Sequence, residues 1–127
     1  MAKSVFDEVY GDATISDDDV RMITYEQFMC IRDCGEDYKL LDVLSEESYG
    51  QGHIKDSISF PVSDINGETA KQKLNKDDNI IVYCASQYCS ASTRAAKKLS
   101  ELGYKVLDFK GGLEEFQMRG NRLLILF

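Results

Sequence analysis

The segment Ile80-Ile81-Val82-Tyr83-Cys84-Ala85-Ser86-Gln87-Tyr88-Cys89-Ser90-Ala91-Ser92 passes from a β-branched and aromatic run into small and polar residues. An uninterrupted apolar run of this length predicts a strand covered on both faces. Beyond it, Ala95, Ala96, Leu99 and Leu102 recur at helical spacing over 92–102, with Gly103 as the stop. The segment therefore reads as strand, tight loop and helix start. Residues 104–109 form a further strand, Gly111-Gly112 a tight turn and 113–118 a last helix. Upstream, 20–23 is a strand, and the capping-box spacing of Thr24 and Gln27 opens a helix that buries Tyr25, Phe28 and Met29 before Gly35. Residues 39–43, with Leu40 beside Leu41, predict another two-sided strand. Ser45 caps a short helix to Tyr49, 57–60 alternates up to Pro61, and a helix carrying Ala70 and Leu74 follows. Strands separated by helices imply parallel pairing. The expected fold is α/β, a central mostly parallel sheet with helices on both faces.

Composition sets the outer bounds. At 127 residues the chain has room for one domain that buries roughly two-thirds of its unfolded surface. Hydrophobic residues make up 43% and charged residues 29%, which excludes wholesale disorder. A net charge of -7 argues against nucleic acid and anionic membrane as partners. No apolar run is long enough for a bilayer and the first ten residues lack a signal-peptide pattern, so a reducing cytoplasm is expected. There, the four cysteines serve as core filler, metal ligands or chemistry rather than as disulfides. The expected organisation is an acidic arm over 1–19, with a turn or two of helix around Phe6, Val9 and Tyr10 stopped by Gly11, a domain over 20–122 and an apolar tail over 123–127. The tail pairs or packs, at a dimer contact or within one chain, so the assembly is a monomer or a homodimer.

Ligands of parallel α/β sheets bind beyond the carboxyl ends of the strands. Cys84 sits at that end of the most apolar strand. The backbone N–H groups of the following helix start converge on this loop, where they favour an anion and lower the pKa of a thiolate. Small residues let the backbone curl around a sulfur. The chemistry favoured is a nucleophilic sulfur in a ring of donors, and the plain alternative is a buried small residue that ends a strand.

The ordered series Asp42-Val43, Gly52-His53-Ile54, Ser57-Ile58-Ser59-Phe60-Pro61, Val82-Tyr83-Cys84, Ala95-Ala96, Leu102-Gly103-Tyr104 and Gly111-Gly112-Leu113-Glu114 resembles the single-domain rhodanese-like proteins over residues 20–122. The resemblance implies a single-domain rhodanese-like fold and a sulfurtransferase with no cofactor and no metal. Cys84 would be its catalytic nucleophile and Ala85, Ser86, Gln87, Tyr88, Cys89, Ser90 and Ala91 its active-site loop. Cys84 would take sulfane sulfur from thiosulfate or a persulfide and pass it to a thiol or other nucleophilic acceptor, a partner protein among them. Two departures bear on the donor. Ala85 and Cys89 stand where the family's common short loop carries arginines, and Leu44 replaces a frequent strand-end arginine. A loop without guanidinium should bind thiosulfate dianion poorly, so a protein or low-molecular-weight persulfide donor is expected. A phosphatase, which needs an arginine to hold phosphoryl oxygens, is not supported, because the sixth residue after Cys84 is Ser90.

Cys89 reads either as a packing residue at the helix start or as a resolving thiol that attacks a Cys84 persulfide. Cys30 and Cys34 share a helix face, and their spacing does not suit zinc, so packing is their expected role. Asp42 and His53 are supporting residues. Asp42 is expected to anchor neighbouring loops. His53 is expected to hydrogen-bond loop backbone, and the alternative is a proton shuttle near Cys84. Gly111-Gly112 supplies backbone freedom close to the loop. Two further functions stay open beside the sulfurtransferase: a catalytically silent binding or regulatory module, and a Cys84/Cys89 thiol–disulfide redox protein.

Overall fold

A computed structural model describes residues 4–126. Its elements are α1 (Val5–Asp12), β1 (Thr14–Ile15), β2 (Arg21–Ile23), α2 (Tyr25–Asp33), β3 (Lys39–Asp42), α3 (Glu46–Gln51), β4 (Ser57–Ser59), a 3-10 turn (Val62–Asp64), α4 (Gly67–Lys73), β5 (Asn79–Tyr83), α5 (Ala91–Glu101), β6 (Lys105–Phe109) and α6 (Gly112–Met118). The six strands form one sheet in the order β1-β2-β6-β5-β3-β4. Every pairing is parallel except that of β1 with β2. The α/β architecture with helices on both faces is therefore observed.

Strand periodicity divides the core. Ile80, Val82 and Cys84 point into one cluster, with Leu41, Val43 and Val106 of neighbouring strands and Ala70, Ala95, Ala96 and Leu99 of α4 and α5. Ile81 and Tyr83 point the other way, with Leu40, Leu107 and Phe109, against Phe6 of α1, Phe28 and Ile31 of α2 and Phe116 of α6. Adjacent Leu40 and Leu41 serve opposite clusters, as a strand with two covered faces requires.

Local signals set most boundaries. Thr24 and Gln27 form the capping box of α2, Ser45 Oγ accepts from the Ser48 N–H, and Gly103 follows α5 at φ +98°. Elsewhere tertiary contacts override local preference. Helix α1 runs past Gly11 to Asp12, because buried Phe6 and the Glu36 carboxylate on the Val5 and Phe6 N–H groups outweigh the roughly 1 kcal/mol helix cost of a glycine. Helix α3 runs to Gln51, and β1 and the 3-10 turn have no strong pattern in the sequence. On edge strand β4 the polar residue faces inward: Ser57 is buried and Ile58 is 40% exposed. In the tail, Leu124 exchanges both backbone hydrogen bonds with His53, and the Leu126 N–H donates to Gly50 O. Met1, Ala2, Lys3 and Phe127, which belong to the expected arm and tail, lie outside the described residues.

Candidate active site

Cys84 follows β5 directly, and its side chain is fully buried on the α5 side of the sheet. The chain then makes a turn closed by the Cys89 N–H on Ser86 O (3.0 Å) and enters α5 at Ala91. Ser90, the N-cap of α5, makes no side-chain cap bond. The first-turn donors are therefore left for the loop: the Ser92 N–H faces Cys84, and the Ala91 N–H, with that of Ala85, faces the Cys89 sulfur. The Cys84 thiol has its Sγ 3.4 Å from Ser92 Oγ and 3.5 Å from Cys89 O.

The turn before α6 fastens the loop from the side. Leu113 and Glu114 donate their N–H groups to the carbonyls of Cys84 and Ala85, each at 2.9 Å. Gly112 stands at φ +61°, and a Cβ there would lie 2.3 Å from Cys84 O. Only glycine allows that approach.

Two charged groups that the sequence reading did not assign to the site complete it. The Lys110 ammonium donates to Cys89 O and lies near the Cys89 sulfur. It provides a cation in a loop that has no arginine, while Arg94 is exposed on α5. Asp108, on β6, is fully buried; Thr93 Oγ1 donates to its Oδ2 at 3.1 Å and the Ser92 hydroxyl also faces its carboxyl. Its Oδ1 has no hydrogen-bond partner. Among the described residues only Ser59 Oγ shares that condition. The available signal for Asp108 was a lone carboxylate inside an apolar strand, and for Lys110 its place at the carboxyl end of the strand beside β5.

The thiols differ in acidity, and here the expectation for Cys84 needs correcting. Burial pushes the Cys84 thiol up, and the neighbouring Cys89 sulfur adds to this; the Ser92 hydroxyl and N–H only partly offset them. Cys89 moves the other way. Burial opposes its ionisation, but the Cys84 thiol donating to it, the Ala91 and Ala85 N–H groups and Lys110 together bring it below the ordinary thiol range. The helix start thus favours an anion as expected, more at the Cys89 sulfur than at Cys84.

The remaining candidates lie elsewhere. Asp42 faces the α2 side, where Oδ1 accepts from the Leu44 N–H (3.0 Å) and Oδ2 from the Tyr83 hydroxyl (2.8 Å). His53 Nδ1 meets Tyr49 O at 2.8 Å, and its ring stacks on that of Tyr49, in the α3–β4 connection. Cys30 and Cys34 are exposed on and after α2. Among the described residues no group of His, Cys, Asp and Glu is placed to hold a metal ion, and no helix is long and apolar enough to cross a membrane. Beside the loop, Gln87, Gly111, Glu114, Glu115, Met118 and Arg119 line an open cleft of about 320 Å³.

Comparison with known proteins agrees with this fold. The family model of the Rhodanese-like domain matches residues 30–119. A thiosulfate sulfurtransferase of Escherichia coli is 32% identical over 78 residues, covering 61% of this chain and 73% of that protein. An HTH-type transcriptional regulator of Mycobacterium tuberculosis is 28% identical over 125 residues; the match covers 94% of this chain, which spans only 54% of that protein. A crystal structure from Bacillus halodurans superimposes with a TM-score of 0.73 at 30% identity, covering 82% of this chain and 76% of that one.

Proposed function

The chain belongs to the rhodanese-like domain family, and on that premise we propose that it transfers sulfane sulfur, holding it between donor and acceptor as a persulfide on Cys84. The observation that carries this reading is the placement of Cys84: a thiol at the carboxyl end of the central strand, bonded to Ser92 and enclosed by a loop that α6 clamps. Once deprotonated, its sulfur accepts the Ser92 hydroxyl and N–H, as a nucleophile in a preorganised site does. Attack on the sulfane sulfur of a persulfide forms the Cys84 S–S bond and expels the donor thiolate. Attack by an acceptor thiolate on the outer sulfur then frees Cys84. The Ala85 and Ala91 N–H groups, now on the Cys89 sulfur, are the loop donors that this reading assigns to the outer sulfur.

The donor favoured is a low-molecular-weight or protein persulfide. Lys110 donates into the loop, while in the adjoining cleft Glu114 and Glu115 are carboxylates and Arg119 is already paired with Glu26 and Glu115, so a thiosulfate dianion finds little charge-assisted binding. The free thiols of Cys30, Cys34, Cys84 and Cys89 suit a reducing compartment. A second reading has its own observation, the Cys84 thiol lying against Cys89, its Sγ 3.5 Å from Cys89 O. In it the Cys89 thiolate attacks the inner sulfur of the Cys84 persulfide, releases hydrosulfide and leaves a disulfide for a reducing thiol to reopen.

Intact-mass spectrometry after incubation with thiosulfate or glutathione persulfide, on wild type, Cys84→Ser and Cys89→Ser, tests both. The proposal expects one added sulfur from the persulfide, much less from thiosulfate, and none in Cys84→Ser. A loss of two hydrogens requiring both cysteines supports the redox reading. No adduct from either donor points to a silent binding module, the role left open by the match to a transcriptional regulator.

A further inference from the structure

The mechanism so far leaves a proton unassigned. Cys84 is buried as a neutral thiol and must lose its proton before it can attack. On the α5 face the polar side chains nearest it, Ser92, Thr93 and Asp108, lie together within an apolar layer. Cys84 Sγ lies 3.4 Å from Ser92 Oγ, the Ser92 hydroxyl faces the Asp108 carboxyl, and Thr93 Oγ1 holds Oδ2 of that carboxyl at 3.1 Å. Cys84, Ser92 and Asp108 are each 0% exposed. Strand pairing sets the alignment: Val82 of β5 is opposite Asp108 of β6, so the carboxyl arrives level with the loop that begins two residues later. Its Oδ1 is left with no donor, an arrangement that costs stability in a purely structural network.

We propose that Asp108 is the proton acceptor for Cys84, acting through the Ser92 hydroxyl. The Cys84 S–H proton passes to Ser92 Oγ as the Ser92 hydroxyl proton passes to the Asp108 carboxylate that it faces. The products are a Cys84 thiolate accepting the new Ser92 O–H, and a neutral Asp108 carboxylic acid donating back to Ser92 Oγ. No net charge is created or lost, since a thiol and a carboxylate become a thiolate and a carboxylic acid. Ser92 and Asp108 are positioning residues in this scheme, since Cys84 alone meets the sulfur donor. Burial lifts the Asp108 carboxyl above the ordinary range, towards that of a thiol, while Ser92, Lys110 and Thr93 pull it part of the way back. The other ionisable groups facing the two ends are the Cys89 thiol, on Cys84, and the Lys110 ammonium, near Cys89 and Asp108. Cys89 is therefore the competing acceptor.

The test is the pH profile of Cys84 modification in wild type, Asp108→Asn, Ser92→Ala, Ser92→Thr and Cys89→Ser. The rate of persulfide formation from glutathione persulfide is read beside the rate of Cys84 alkylation by iodoacetamide, resolved by peptide mass. With the relay, Asp108→Asn and Ser92→Ala lose about 10- to 100-fold near pH 6 and converge to within about twofold of wild type near pH 9.5, where hydroxide removes the proton. Ser92→Thr, which keeps the hydroxyl, keeps the low-pH rate, and Cys89→Ser, which removes a sulfur that raises the Cys84 thiol, shows no low-pH loss. A uniform loss at every pH, no loss, or a faster Asp108→Asn overturns the relay, and so does a Cys89→Ser variant that shows the low-pH loss instead. The alkylation arm needs no sulfur transfer. If wild type takes no sulfur while its alkylation profile still depends on Asp108, the proposed activity fails and the relay stands.

Discussion

Tyr83 and Cys84 are neighbours in sequence and point to opposite faces of the sheet, each into a buried polar network of a different kind. On the α2 face the network is closed. The Tyr83 hydroxyl accepts from the Ile54 N–H (3.0 Å), meets Ser57 Oγ (3.0 Å) and donates to Asp42 Oδ2, while Asp42 Oδ1 takes the Leu44 N–H. This explains why Ser57 faces inward on β4. Burial raises both the Asp42 carboxyl and the Tyr83 phenol, which keeps the phenol protonated and donating. On the α5 face the network is open. A neutral thiol, a serine and a carboxyl line up, and one carboxylate oxygen has no partner. A complete set of buried hydrogen bonds rigidifies, whereas an incomplete one sacrifices stability and leaves a place for a proton to go. The first network holds the β3–α3 and α3–β4 connections; the second serves the thiol.

The sharpest test of this difference is Tyr83→Phe. It leaves the Ile54 N–H and Asp42 Oδ2 buried and unpaired, and should cost about 2–4 kcal/mol in denaturant unfolding. Cys84 persulfide formation by the folded variant should stay within about twofold of wild type. A cost below about 1 kcal/mol would erase the distinction between the faces.

Asp108→Asn should behave in the opposite way, with a stability change within about 1 kcal/mol at neutral pH and a large change in reactivity at low pH. Its pH dependence follows from the raised carboxyl. Between the unfolded value near 3.9 and the higher folded value, the folded state binds more protons than the unfolded one, so the stability this carboxyl allows is full below the unfolded value and is lost as pH rises through the folded one. The difference in melting temperature, variant minus wild type, should therefore rise from about pH 4 to neutrality. A flat difference would mean that Asp108 is not titrating above its ordinary range.

The smallest effect is expected from Lys110→Met. Removing the ammonium near the Cys89 sulfur should raise that thiol and slow its alkylation about three- to fivefold near pH 7, with little change in melting temperature. An unchanged rate would assign the acidity of Cys89 to its N–H donors alone.

Much of the fold was legible because its signals are local. The run ending at Tyr83, the caps at Thr24 and Ser45 and the glycine after α5 each act within a few residues. The two-residue β1, the 3-10 turn and the passage of α1 through Gly11 were not, since partners distant in sequence stabilise them. Within the site, Cys84 and its loop were legible from their place between strand and helix. The direction of the Cys84 shift was read the wrong way, because a helix start favours an anion whichever sulfur occupies it, and burial depth is a property of the packed molecule.

The sequence by itself determined the alternation of strands and helices, the strand that ends at Cys84 and the absence of arginine from the loop that follows. Periodicity, capping and composition need nothing beyond the chain's own neighbours. The tertiary structure alone decided that Asp108 lies level with Ser92, that Lys110 reaches back to Cys89, and that Tyr83 and Cys84 meet networks of opposite character. Those relations depend on the parallel register of β5 with β6 and β3, which brings together residues far apart in the chain.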